Sequence, residues 1–212
     1  MAEDSRVQVT EGHYDFSKYV AKPRFCSYWH QIDEVLRIRP GTLLVIGKGD
    51  GIVTDILQKA CPTLRITTFD FDPALCPDIT GDVRTILESA PGPYDCVLCC
   101  QVLEHVPYEH FGPILSQLAA IAPHVVLSIP CQCRTFGLAL DLPKLHVRRF
   151  FHPQKLRMDF AFDGQHYWEA GTKGHAKRDV EAILRECFTV KSSYHVPEKP
   201  WHLFYILERK NG

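Results

Sequence analysis

The chain has 212 residues, 45% of them hydrophobic and 23% charged, which is enough for one sizeable core and too little for two ordinary domains. This composition excludes an intrinsically disordered chain, and a formal net charge of −1 supplies no general attraction to nucleic acid. The longest apolar stretches, such as 121–129, are interrupted and too short to cross a bilayer, so no membrane partner is expected. Residues 1–7 carry Glu3, Asp4 and Arg6 with no apolar core, so no secretory signal is read and a cytoplasmic location is expected. Nine cysteines, several inside an apolar run (Cys96, Cys99, Cys100), are expected to be reduced thiols. Cys131 and Cys133 have no second pair at a matching distance, so no metal is expected there.

Residues 1–22 are mixed and polar and read as an arm. Tyr28, Ile32, Val35 and Leu36 then recur at helical spacing over 25–37, and Pro40-Gly41 ends that helix. Thr42–Ile46 is a short β-branched and leucine run of the kind buried on both faces of a parallel sheet. A glycine-rich turn follows over 47–51, and Ile52, Val53, Ile56 and Leu57 mark an amphipathic helix ending near Cys61-Pro62. The rhythm continues with a strand over 64–69, a short helix over 83–88, a buried strand over 94–100, a helix over 111–122 and a strand over 124–129. Such alternation predicts an α/β, doubly wound, mostly parallel sheet. Residues 131–173 show no clean period and read as an irregular insertion of the kind that forms a lid or binding segment. A helix over 175–187 and strands over 188–196 and 203–208 complete the chain; the two strands have no helix between them and predict an antiparallel hairpin. The expected organisation is one domain over 1–212: arm and helix (1–40), cofactor-binding core (41–130), insertion (131–173), then helix and hairpin (174–212).

The sharpest motif is Val45-Ile46-Gly47-Lys48-Gly49-Asp50-Gly51, with Asp70 at the end of the following strand. Glycines at a strand-to-helix turn let the backbone bend and approach a ligand, while a carboxylate one strand over can accept bonds from both ribose hydroxyls. Ile52 stands where a dinucleotide-binding turn has Gly or Ala, which weakens a pyrophosphate reading. Lys48 reads as a solvated side chain.

These residues, with Phe69-Asp70-Phe71-Asp72-Pro73, resemble the first two motifs of class I S-adenosylmethionine-dependent methyltransferases. Asp78-Ile79-Thr80-Gly81-Asp82-Val83 resembles the segment whose Asp touches adenine, and Tyr94 to His105 resembles the fourth strand with its Leu103-Glu104-His105 tail. His166-Tyr167-Trp168-Glu169 is similar to a string in some small bacterial members. The resemblance covers about residues 43–130. It implies a three-layer fold with a seven-stranded sheet, S-adenosyl-L-methionine as cofactor, and cofactor contacts from Gly47, Gly49, Asp50, Gly51, Asp70, Phe71, Asp82, Val83 and Gln101. It also places Gln101 and His105 beside the transferable methyl group.

Methyl transfer from a sulfonium needs alignment and a water-poor pocket, and a hydroxyl or ammonium acceptor also gains from a base matched to neutral pH. His105, His166 and Glu169 are the candidates, with Glu169 orienting His166 and Trp168 closing over the acceptor. The plainer reading of His105 is a capping or core histidine, and that of His202, which could also face the cavity, is a buried or edge histidine. The basic stretch 144–157 is by default a solvated face, but Arg148, Arg149 and Arg157 could hold an anionic acceptor. The expected partner is a small molecule methylated on oxygen or nitrogen, an anion among the options. The alternatives are a protein, peptide or RNA acceptor docked on the basic stretch, or a non-catalytic cofactor-binding module. Nucleic acid is not the leading expectation, and nothing sets the oligomeric state.

Overall fold

The computed structural model describes residues 21–134, 136–143, 145–151, 159–162 and 164–210, with the backbone alone for 139–141, 145–146 and 148–151. The N-terminal arm and Arg157 lie outside the described residues, as do the side chains of Arg148 and Arg149. Helix α1 (Lys22–Ile38) admits Pro23 in its first turn, where no intrahelical amide is needed, and stops at Arg39, which is left-handed (φ 57°) just before Pro40. Its buried face repeats at helical spacing through Ser27, Tyr28, Gln31 and Val35.

Strand β1 (Thr42–Ile46) pairs in parallel with β2 (Arg65–Asp70) on one side and with β4 (Cys96–Cys100) on the other. The two-residue strand β3 (Ile79–Thr80), too short to have a sequence signal, extends the sheet beyond β2. Strand β5 (His124–Pro130) pairs in parallel with β4 and antiparallel with β9 (Lys199–Arg209), which turns back on β8 (Phe188–Val196). The seven-stranded order is β3-β2-β1-β4-β5-β9-β8, the mostly parallel sheet with an antiparallel end that the sequence predicts. Alternation along β1 explains the layers. Leu44 and Ile46 join Val97, Leu115 and Leu118 on one face, whereas Leu43 and Val45 join Leu98, Tyr28, Val35 and Leu57 on the other. Helices α1 and α2 (Ile52–Ala60) cover the second face, and α4 (Phe111–Ile121) and α5 (Lys177–Cys187) the first.

Three elements differ from the sequence reading. The helix expected over 83–88 is a 3₁₀ turn (Val83–Thr85) followed by the one-turn α3 (Ile86–Ser89). The insertion is not irregular throughout, because β6 (Phe136–Leu142) and β7 (Leu145–Phe151) form an antiparallel hairpin of their own. Strand β9 begins at Lys199 and so includes Pro200 and Trp201, since a proline is tolerated where the ladder is bulged, as it is at His195/Val196 opposite. All nine cysteines are free thiols. Among the described residues, no helix is long and apolar enough to cross a membrane.

Candidate functional site

After β1 the chain runs to β2 and β3 on one side of the sheet, and β4 and β5 lie on the other, so the ends of β1 and β4 form the crevice where such sheets bind ligands. The loops at those ends, with α1, enclose a cavity of about 910 Å³, at the upper end of small-molecule sites and roomy enough for a nucleoside cofactor and a compact second ligand. The glycine turn is built on positive φ angles at Gly47 (81°), Gly49 (55°) and Gly51 (76°). Asp70 organises it: one carboxylate oxygen accepts from the Lys48 amide at 2.7 Å and the Gly49 amide at 3.5 Å, the other from the Asp72 amide at 3.0 Å. A lone pair remains on the oxygen that the Asp72 amide holds, where a ribose hydroxyl can donate. Asp50 is fixed in the same way, by the Tyr28 hydroxyl at 2.7 Å and the Ile52 amide at 3.1 Å.

Gly47, Gly49, Asp50, Asp70, Phe71, Asp82, Val83 and Gln101 all line the cavity. Gly51 does not; it is the N-cap of α2 and supplies only the turn. Asp82 caps its own 3₁₀ turn, accepting from the Arg84 amide at 2.8 Å and holding the Arg84 guanidinium. Gln101 is the non-glycine residue of this wall with positive φ (57°). Its amide donates to the Ser128 carbonyl at 2.9 Å and its side chain to the Ser128 hydroxyl at 3.1 Å, bonds that hold the strained backbone. Lys48 is half-buried and engaged: its ammonium donates to the carbonyls of Leu75 (2.8 Å) and Cys76 (2.7 Å) and braces the loop after β2.

The far wall brings together residues that are distant in sequence. His105 ends a 3₁₀ turn (Leu103–His105), and its Nδ1 lies 3.0 Å from the Gln165 carbonyl. The ring stands edge-on to that of His166, with centroids 5.0 Å apart. His166 Nδ1 is 2.8 Å from Glu169 Oε1, and the other oxygen of Glu169 accepts from the Gln132 side-chain Nε2. Beside them lies Glu104, fully buried, with no hydrogen-bond partner for either carboxylate oxygen among the described residues. Burial pushes its carboxyl up to about 8. Glu104, His105, His166 and Glu169 all face the cavity.

Trp168 is a correction. Its side chain is fully buried, packs edge-on against Tyr108 and Phe111, and donates from Nε1 to the carbonyls of Leu103 (3.2 Å) and Val106 (3.1 Å). The indole is not part of the cavity wall, so it anchors the His166–Glu169 segment instead of closing over an acceptor. His202 does reach the cavity, 5% exposed, with Nδ1 2.9 Å from the Ser27 hydroxyl. Burial, then the positive charges of Lys199 and Arg24, push it down to about 2, so the ring is neutral. Lys199 is 7% exposed and is pushed down to about 8 by burial, then by Arg24. It lines this end of the cavity together with Arg24, Ser27 and Gln31. The sequence reading missed Glu104, Lys199 and this polar part of α1; its signal was the interruption of a buried helical stripe by Ser27 and Gln31.

A glycine turn, a carboxylate at the end of β2, a polar wall after β4 and a sheet of this order define the fold of class I S-adenosylmethionine-dependent methyltransferases. A family model described as a methyltransferase domain matches residues 20–169, and the chain belongs to that family: it is an S-adenosylmethionine-dependent methyltransferase. No curated protein matches by sequence. Solved structures share the fold. The Burkholderia thailandensis 1,6-didemethyltoxoflavin N1-methyltransferase, bound to 1,6-didemethyltoxoflavin and S-adenosylhomocysteine, is 16% identical, with 95% of this chain and 84% of that one covered and a TM-score of 0.61. An O-methyltransferase family protein from the same organism is 11% identical over 100% of this chain and 62% of that one (TM-score 0.63). A small RNA methyltransferase is 13% identical over 91% of this chain and 26% of that one (TM-score 0.64).

Proposed function

We propose that the chain methylates an oxygen or nitrogen of a compact, negatively charged small molecule. The observation that carries this reading is the cavity lining, in which the nearly buried Lys199 and the neighbouring Arg24 stand in the same wall as Glu104, His105 and His166. A lysine removed from water in this way gains most from an anionic ligand, because desolvation strengthens a charge-assisted bond.

S-adenosylmethionine supplies a methyl group on a cationic sulfur, whose charge is lost on transfer. The chain's residues bind and align. The Gly47 and Gly49 backbone admits the nucleoside, Asp70 accepts from its ribose, Asp82 and Val83 flank the base, and Gln101 bounds the methionine end. Arg24 and Lys199 orient the acceptor anion, His202 offers its neutral ring as a polar contact, and the acceptor's proton is lost at the His105, His166 and Glu169 corner. The strand holding Arg148 and Arg149 is a further candidate for anion contact from the hairpin.

The test is a screen of hydroxyl- and amine-bearing carboxylates and phosphates for transfer of isotopically labelled methyl, followed by Lys199→Ala. Loss of one charge-assisted hydrogen bond, about 1.5–3 kcal/mol, raises acceptor KM by about 10- to 150-fold and leaves the cofactor Kd unchanged. An unaltered KM, or turnover confined to RNA or peptide acceptors, contradicts the reading.

A further inference from the structure

We propose that Glu104, His105 and His166 form a binding site for a first-row divalent transition-metal ion at the acceptor end of the cavity. The residues meet because the 3₁₀ turn after β4 is locked to the segment 164–169. The Tyr167 amide donates to the Glu104 carbonyl at 2.8 Å, and the Trp168 indole donates to the Leu103 carbonyl. One ligand atom from each of the three residues lies within 4.8 Å of the others. An ion at about 2.0–2.2 Å from each would bring those atoms to about 3 Å of one another, a movement within reach of small side-chain rotations.

Glu104 is the independent observation. Buried carboxylates are held by hydrogen-bond donors or by cations, yet neither oxygen of this fully buried side chain has a hydrogen-bond partner among the described residues. The histidines carry the second half of the argument. His166 Nδ1 is held at 2.8 Å by Glu169, which is itself held by Gln132, and His105 Nδ1 sits 3.0 Å from a backbone carbonyl. Partners of this kind fix the tautomer and orientation of metal-bound imidazoles, with Nε2 as the nitrogen that the ion takes. Two imidazoles and one carboxylate suit Mn²⁺, Co²⁺ or Zn²⁺ better than Mg²⁺ or Ca²⁺. Three protein ligands leave positions open, and all three residues line the cavity. The ion's open positions take acceptor oxygen atoms, and with His105 and His166 as ligands in place of bases the ion itself lowers the pKa of that oxygen, whose proton passes to solvent; that step rests on the acceptor reading above, whereas the site itself does not.

The test is a titration of tag-free full-length protein, treated with EDTA and desalted, with Co²⁺ followed by visible absorption, and thermal unfolding with Mn²⁺ and Zn²⁺ alongside. The expected result is a band that saturates at a single equivalent and an affinity weakened at least about tenfold in both Glu104→Gln and His166→Ala. Without metal, Glu104→Gln should unfold at a higher temperature than the wild type, because an amide replaces an unpaired buried acid, so its lost binding is not lost folding. The absence of a saturating band in the wild type would overturn the proposal. So would wild-type affinity in both variants, or a near-ultraviolet thiolate-to-cobalt band that puts the ion on the cysteines. Calorimetric titration with S-adenosylmethionine in EDTA separates the two ideas, since cofactor binding without metal binding sinks the metal site alone.

Discussion

A β-carbon added at Gly47 would lie 2.4 Å from the Val102 Cγ2 methyl, and the backbone there has a φ of +81°. Carbon atoms in contact sit about 3.5–4.0 Å apart, so the overlap exceeds about 1 Å. Left-handed backbone costs an L-residue about 1–2 kcal/mol, and forcing a methyl into packed surroundings about 1–3 kcal/mol more. Gly47→Ala should therefore destabilise the protein by about 2–5 kcal/mol, each kcal/mol moving Tm by about 2–4 °C in a chain of this size. Val102→Ala removes the obstructing methyl, so the double variant should recover the packing part, at least about 1 kcal/mol, and keep the backbone part. Urea unfolding of the four proteins measures the coupling. Cofactor calorimetry on the same samples should show affinity falling in Gly47→Ala and partly returning in the pair. Additivity of the two single changes within about 0.5 kcal/mol would refute the claim that the glycine is required by the approach of the β4 loop.

Asp70→Ala should weaken S-adenosylmethionine binding by about 1.5–3 kcal/mol in calorimetry, through lost ribose bonds and a loosened glycine turn. Trp168→Phe should leave the Leu103 and Val106 carbonyls short of a donor and cost about 1–3 kcal/mol of stability, while cofactor Kd changes by less than about twofold; a large affinity loss would return the indole to the binding wall. His202 gives a pH signature. Its folded value, about 2, lies below the unfolded value of 6.5, so the unfolded chain binds the extra proton between them. The stability it contributes is present above pH 6.5 and is lost as pH falls below it, at up to about 1.4 kcal/mol per pH unit. Chemical unfolding at pH 7.5 and 5.5 should show this slope, and His202→Gln should flatten it.

The cofactor half of the molecule was legible because its chemistry sits on local features: a glycine turn directly after an apolar run, and an acidic residue at the next strand end. The short continuous apolar runs alternating with helical patterns on either side then pointed to a mostly parallel, doubly wound sheet. The wall proposed for the acceptor was not, because it is assembled from α1, the β4 loop, the segment around His166 and β9, whose proximity no spacing reveals. Glu104 reads as a polar residue opening a surface turn, and only the fold buries it. Trp168 beside His166 reads equally as a binding aromatic or a core one, and its two carbonyl partners decide for the core. The hairpin β6–β7 did carry a signal in two seven-residue runs joined at Pro143-Lys144, hidden by the mixed charges within them. Lys199 followed by Pro200 looked like loop, and the sheet register makes it strand.

The most direct test of the account is calorimetric titration of the purified protein with S-adenosylmethionine and S-adenosylhomocysteine, with NAD in parallel. Saturable binding of the sulfur compounds in about the micromolar range, about −8 kcal/mol, without any response to NAD is the predicted result. Silence from both sulfur compounds, or saturable binding of NAD, would contradict it.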